Sequence, residues 1–394
     1  MKALSLPAIS VPNLMQGVTP RHLLLLSAGM LFGIGLVMVA SASMGVAEAQ
    51  YGNPFYFFVR HLVYMLVGFA AALFTLNVPV ATWMRLRWWL LALALVLLAA
   101  VLVPGIGRRV NGSMRWIGVG PLTLQPSEIG KFAVVAFTAS FLVRRLDEVR
   151  THWMGFAKPV AVVALVLLLL LAEPDFGATV VTMSAVMGML FLAGAPLRPY
   201  VLLVGAVVLL GVLLIWLEPY RVQRVLSFTN PWANAYDSGY QLTQSLIAFG
   251  RGEWFGVGLG KSVQKLFYLP EAHTDFVLAV YAEEFGFVGV VFLISMFWLL
   301  VRSAIRIGQQ AEQRDDCFGA YVAYGIAILI GVQALVNIGV NMGLFPTKGL
   351  TLPLVSYGGS SLVVVFAMLG VLLRIDNESN GRAMAAPLPK GGRT

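Results

Sequence analysis

Residues 269–289 read LPEAHTDFVLAVYAEEFGFVG, and the fold turns on what this stretch is. A long apolar run begins at Phe276, directly after His273 and Asp275, and Glu283 and Glu284 lie two to three turns inside it. Ionisable groups at or below a membrane boundary are costly and are kept where they pair or function. If the run spans a bilayer, Asp275 stands at its mouth, and the other helices build a wet chamber around it.

Composition supports the bilayer. Of the 394 residues, 59% are hydrophobic and 11% charged, whereas roughly a quarter are charged in a soluble domain. The single cysteine, Cys317, excludes an intramolecular disulfide and a cysteine metal cluster, and four scattered histidines show no metal-ligand spacing. The net charge of +9 reads as loop asymmetry and attraction to anionic lipid. No aromatic–basic module points to nucleic acid. Apolar runs long enough to cross occupy 23–43, 55–76, 86–103, 127–143, 153–172, 178–195, 200–216, 276–301, 318–340 and 360–374. The expected architecture is an all-α polytopic membrane protein with ten transmembrane helices. Residues 1–20 and 377–394 read as cytoplasmic tails flanking a membrane domain at 21–376. Arg85, Arg87, Arg144, Arg145, Arg150, Arg302 and Arg306 fall on the side of both termini. The positive-inside rule therefore puts both termini inside. Two long outer segments result, 104–126 and a large ordered periplasmic loop at 217–275. Within the second, 241–249 has the spacing of an interfacial amphipathic helix, and the glycines of 250–260 supply turns.

This topology gathers the rare charges Glu128, Lys131, Glu173, Asp175, Asp275 and Lys348 on the outer side. The residues alone leave Asp275 open as a helix N-cap or as a general base with His273 beside it. In QPSEIGK, residues 125–131, Glu128 and Lys131 share a helical face and can pair. In EPDFG, residues 173–177, Asp175 precedes a helix, and with Asp275 it can hold a divalent cation, Mg or Mn. Arg108, Arg109 and Arg115 in GRRVNGSMRWIGVG, residues 107–120, suit phosphate oxygens. The segment 341–361, NMGLFPTKGLTLPLVSYGGSS, carries one charge, Lys348. Its prolines and glycines break a helix, so it should line the cavity as irregular backbone, which protein or water must satisfy. Ser356 and Ser360 in that segment are further candidates for substrate contact. Arg60 and His61 face either the cavity or another helix.

NGSMRWI at 111–117, QPSEIGK at 125–131, EPDFG at 173–177, EAHTDF at 271–276 and PTKGLTLPLVSYGGSS at 346–361 together resemble the SEDS family of bacterial cell-wall proteins, and its division branch most. The resemblance implies a peptidoglycan glycosyltransferase acting on lipid II. Its essential outer aspartate falls on Asp275, its outer Glu and Lys on Glu128 and Lys131, and its EPD acid on Asp175. It also implies a class B penicillin-binding transpeptidase of the FtsI kind as partner. Divisome membrane proteins of the FtsQ, FtsL and FtsB kinds, and location at the septum, are implied as well. Two rival classes fit intramembrane charge. One is a lipid II flippase, which predicts matching broken helices in two halves; the other is a non-catalytic scaffold.

Overall fold

The computed structural model describes residues 19–110, 113–119, 122–217, 222, 228–346 and 349–385, and of 109, 110, 119, 122, 214, 215 and 382–385 the backbone alone. Helices dominate it. They are α1 Pro20–Tyr51, α2 Tyr56–Asn77, α3 Val80–Val101, α4 Pro126–Thr151, α5 Trp153–Ala172, α6 Phe176–Leu192, α7 Leu197–Trp216, α8 Tyr240–Gly252, α9 Val277–Glu312, α10 Cys317–Asn341 and α11 Gly359–Ala385. Local chemistry sets their ends. Thr19 caps α1 ahead of Pro20, and left-handed Gly52 ends it. Asp175 caps α6 by accepting from Ala178 N, and Asp316 caps α10 through Gly319 N.

Each of the ten expected runs coincides with a helix, and α8 is the expected interfacial helix. Among the described residues, seven helices are long and apolar enough to cross a membrane, and the apolar stretches Phe176–Leu192 and Leu197–Leu213 are shorter. Helix α4 carries Glu128 and Lys131 near one end and Arg144 and Arg145 near the other. It nonetheless lies in the core, with Lys131, Phe137 and Leu142 all at most 2% exposed. Helix α7, by contrast, exposes Leu202, Val208 and Leu209, as a helix facing lipid does.

One expectation needs correction. The chain is not all-α. Strands β1 Gly107–Val110, β2 Ser113–Val119 and β3 Leu122–Leu124 form an antiparallel sheet in the order β1-β2-β3. Val, Trp, Ile and Thr favour a pleated surface, and Asn111-Gly112 between β1 and β2 is a hairpin dipeptide. Those two residues themselves lie outside the described set. At the other end of the chain, the last helix continues past residue 376. Helix α11 runs on to Ala385 because its polar end is tied down. Arg374 Nε donates to Glu378 Oε1 at 2.7 Å, Arg21 Nη1 to Asn377 Oδ1 at 2.6 Å and Arg314 Nη1 to Asn380 Oδ1 at 2.7 Å.

Helix α9 is broken at Gly286, where φ 66°, ψ −167° is open only to glycine. The backbone groups released there are met by the segment before α9. Phe287 N donates to Glu253 O, Val288 N to Trp254 O, Val257 N to Glu283 O and Gly258 N to Glu284 O, at 2.8–3.1 Å. The two glutamates of the opening stretch anchor the same segment. Glu283, fully buried, accepts from Val263 N at 3.1 Å, Gln264 N at 3.2 Å, Ser262 Oγ and Arg251 Nη1. Glu284 pairs with Lys265 at 2.7 Å and accepts from Ser41 Oγ at 2.8 Å. Glu283→Ala leaves those buried donors without an acceptor, a loss of about 3–5 kcal/mol. Arg251→Ala removes only a half-exposed charge, about 0–1 kcal/mol. Thermal melts in detergent should show a much larger fall in Tm for Glu283→Ala; equal falls would refute this account.

Candidate active site

The segment after α10 enters the bundle as irregular backbone and is buried from Leu352 to Ser356. Its closest approach is to α1, where a Cβ on Gly35 would collide with Leu354 O and the Val355 backbone. Its polar groups are satisfied by side chains and by backbone. Asn337 Nδ2 donates to Leu350 O at 2.6 Å and Gln333 Nε2 to Thr351 O at 3.0 Å. Leu352 N donates to Ser356 Oγ at 2.9 Å, and Tyr357 N to His273 O at 2.9 Å.

The candidate charges meet around this segment. The position a Cβ would take on Gly349 is 3.5 Å from Asp275 Oδ2 and 3.6 Å from Arg115 Nη1. Asp275 is half-buried in the turn before α9, and its carbonyl accepts from Asn337 Nδ2 and Asn341 Nδ2, each at 2.9 Å. Phe276, not Asp275, is the residue flanking α9, and it makes no side-chain cap. Arg115, on β2, donates from Nε to Glu173 O at 3.2 Å and from Nη2 to Pro174 O. These bonds hold Nη1 3.9 Å from Asp175 Oδ1. Asp175 is buried and also receives Ala178 N at 3.1 Å and Gln125 Nε2 at 3.4 Å. Deeper in, Lys131 Nζ pairs with Glu128 Oε2 at 2.8 Å and donates to Gln333 Oε1 at 2.6 Å. These two partners offset part of the cost of burying the lysine.

The structure thus joins Asp275 and Arg115 at Gly349, with Asp175 on the far side of Arg115. It connects Glu128 and Lys131 to the same segment through Gln333. It does not gather the other candidates in the same way. Arg108 folds over Gly118 on the neighbouring strand. His273 packs against Phe57, ring centroids 4.6 Å apart, and Tyr357, 5.7 Å. Burial pushes its pKa down, with Glu271 opposing, so it contributes a neutral ring, not a cation. Ser356 Oγ serves Leu352 N, while Ser360 Oγ donates to Thr123 O and accepts from Gln125 N, each at 2.8 Å. Those two hydroxyls hold the protein's own backbone. Lys348 and the Arg109 side chain lie outside the described residues. Among the described residues, no three His, Cys, Asp or Glu side chains group to hold a metal ion. Arg115 Nη1 stands 3.9 Å from Asp175 Oδ1, on the side where the expected divalent cation would reach toward Asp275.

Sequence reasoning missed Gln333, Asn337 and Asn341. They recur every four residues on α10, and that polar stripe in an apolar helix was the available signal. It also passed over Glu173 in favour of Asp175. Glu173 is 1% exposed, and neither carboxyl oxygen has a hydrogen-bond partner among the described residues.

Comparison with known proteins follows the same outline. Residues 21–381 match the cell cycle protein family of FtsW, RodA and SpoVE. A probable peptidoglycan glycosyltransferase FtsW of Hahella chejuensis is 53% identical over 383 residues, covering 96% of this chain and 95% of its own. One from Pseudomonas fluorescens is 56% identical over 349 residues, covering 89% and 86%. A structure described as a peptidoglycan synthase complex that coordinates polymerization and crosslinking superposes with a TM-score of 0.74 at 29% identity, over 90% of this chain and 97% of that one. The rod shape determining protein RodA of Thermus thermophilus superposes at 0.66, also 29% identical, over 90% and 96%.

Glu173 gives a pH prediction. Burial, then the neighbouring Asp175, pushes its pKa from 4.5 up to about 8, against the pull of Arg115. The folded chain therefore holds a proton that the unfolded chain releases above 4.5. Stability falls as pH rises between these two values and is unpenalised below them. Glu173→Gln mimics the neutral acid. Its Tm advantage over the wild type should grow from pH 5 to pH 8, and a constant difference across that window would contradict the assignment.

Proposed function

The chain belongs to the FtsW/RodA/SpoVE family of cell cycle proteins, and on that premise we propose that it polymerises lipid II into septal glycan strands during cell division. Its activity is peptidoglycan glycosyl transfer, the class its relatives are named for. The observation that supports the chemistry most directly is a carboxylate, Asp275, and a clamped guanidinium, Arg115, flanking one glycine at the end of the bundle.

Asp275 takes the proton from the 4-hydroxyl of the acceptor GlcNAc. The oxygen attacks the anomeric carbon of the donor MurNAc, and the bond to undecaprenyl pyrophosphate breaks. An α-linked donor and a β-linked product require one displacement with inversion, so one base suffices. Negative charge gathers on the departing diphosphate, and a guanidinium already oriented by two backbone carbonyls needs no reorganisation to meet it. Arg115 is that group here, with Arg108 on the neighbouring strand, and Arg109 and Lys348 remain further candidates from the sequence. Lys131 is too deeply buried and paired to reach a ligand directly, so it supports the segment through Gln333.

The sheet end is placed outside, with both termini inside and ten crossings, because Arg85, Arg87, Arg144, Arg145 and Arg150 cluster at the other helix ends. Likeness to a chain of a peptidoglycan synthase complex supports a class B transpeptidase as partner, and the FtsW relatives support residence at the septum in the bacterial inner membrane. A transporter uses an unwound helix to hold its substrate. The break in α9 is instead closed by residues 253–258, which favours polymerisation over flipping.

Polymer formation from lipid II by the purified chain with its transpeptidase tests the reading. Asp275→Ala should lower the rate at least a hundredfold with Tm unchanged. Undiminished polymer from that variant would overturn the assignment of the base.

A further inference from the structure

Asn337 and Asn341 stand one turn apart on α10, 2% and 0% exposed, and between them they hold both sides of the gap at Gly349. Asn341 Nδ2 donates to Asp275 O at 2.9 Å and to Asn337 O at 2.9 Å. Its Oδ1 accepts from Ala279 N at 3.2 Å, in the first turn of α9. That N–H also reaches Phe276 O at 3.0 Å. The pattern of two acceptors facing nitrogen and one donor facing oxygen permits a single amide orientation. Asn337 Nδ2 donates to Asp275 O at 2.9 Å and to Leu350 O at 2.6 Å. One carbonyl, that of Asp275, therefore takes two donors. Leu350 follows Gly349, beside which Asp275 Oδ2 and Arg115 Nη1 stand.

We infer that Asn337 and Asn341 are positioning residues for glycosyl transfer: they hold the Asp275 backbone and the segment at Gly349 in register through one helix. The inference rests on Asp275 being the base. Fixing the carbonyl of Asp275 fixes the peptide plane that leads into Phe276 and α9, and with it the direction from which the carboxylate is offered. Asn341 supplies from another helix the acceptor that a side chain at the start of α9 would otherwise provide. Tethering Leu350 to the same amide that holds Asp275 makes the gap a distance set by α10, not by the flexibility of two loops. A base misplaced by about 1 Å can lose two orders of magnitude in rate. Neither asparagine lies beside Gly349 itself, so substrate affinity should be spared.

The test uses the full chain with its transpeptidase and lipid II, and measures kcat, KM and the pH profile for Asn337→Ala, Asn341→Ala and Asn341→Asp. The alanine variants should lose ten- to a hundredfold in kcat with KM within about twofold. Asn341→Asp is isosteric and keeps the acceptor for Ala279 N. It replaces the donor to Asp275 O with an anionic oxygen, so it should shift the acid limb of kcat/KM to higher pH. Wild-type kcat in the alanine variants, a loss carried by KM, or an unmoved acid limb in Asn341→Asp would each overturn the inference. Should an alanine variant fail to fold, the pH profile of Asn341→Asp decides alone. An Asp275→Ala control separates the two ideas. If it polymerises normally, the base assignment falls; if it is inactive while the asparagine variants behave as wild type, only the positioning role falls.

Discussion

Irregular backbone inside an apolar bundle has to find hydrogen-bond partners there, because lipid and packed side chains supply none. The segment from Gly349 to Ser356 is the point where this constraint bears hardest. Leu350 and Thr351 offer their carbonyls to Asn337 and Gln333, Leu352 offers its N–H to Ser356, and Tyr357 reaches His273 O. With those bonds made, the segment can lie against Gly35 of α1 and bring Gly349 beside Asp275 and Arg115. Without them the chain would have to be a helix here, and no side chain could approach Asp275 from that direction.

The same economy of partners explains the charges. Three buried charged side chains are each held by more than one group: Lys131 by Glu128 and Gln333, Glu283 by two backbone N–H groups, Ser262 and Arg251, and Glu284 by Lys265 and Ser41. A single Coulombic partner would not offset the desolvation of two ions. Glu173 lacks such partners because Arg115 binds its carbonyl instead of its carboxylate, and it responds by holding its proton. What the fold places beside each acid, not its sequence context, thus decides which partners it finds.

Catalytic geometry here is also a matter of long-range support. Asp275 meets Asn337 and Asn341 across more than sixty residues of chain, and Arg115 reaches the turn at Glu173–Asp175 across nearly as many. The elements that supply these contacts, α10 and the small sheet, lie far in sequence from the groups they hold. Their role is to convert two loops into surfaces with fixed separation.

Much of the fold was readable from residue order. Ten apolar runs became helices because a long apolar run has few other ways to satisfy its backbone. The pairing of Glu128 with Lys131 follows from helical spacing alone, and the Pro- and Gly-rich tail of PTKGLTLPLVSYGGSS could not continue α10. The Asn-Gly hairpin signal at 111–112 was also present, though Trp116 and Ile117 pointed to burial without saying in what form. Other matters depended on contacts that no local pattern encodes. That Asn341 receives an N–H of the first turn of α9 leaves no sign in the stretch around Asp275. The bonds that the Ser356 and Ser360 hydroxyls make within the chain are equally absent from their motif. Glu283 and Glu284 looked alike until each found a different partner. Periodicity determines which face of an element is apolar, and the residues of that element suffice to state it. Which polar groups meet is set by how elements distant in sequence pack, and that is decided only when the whole chain has folded.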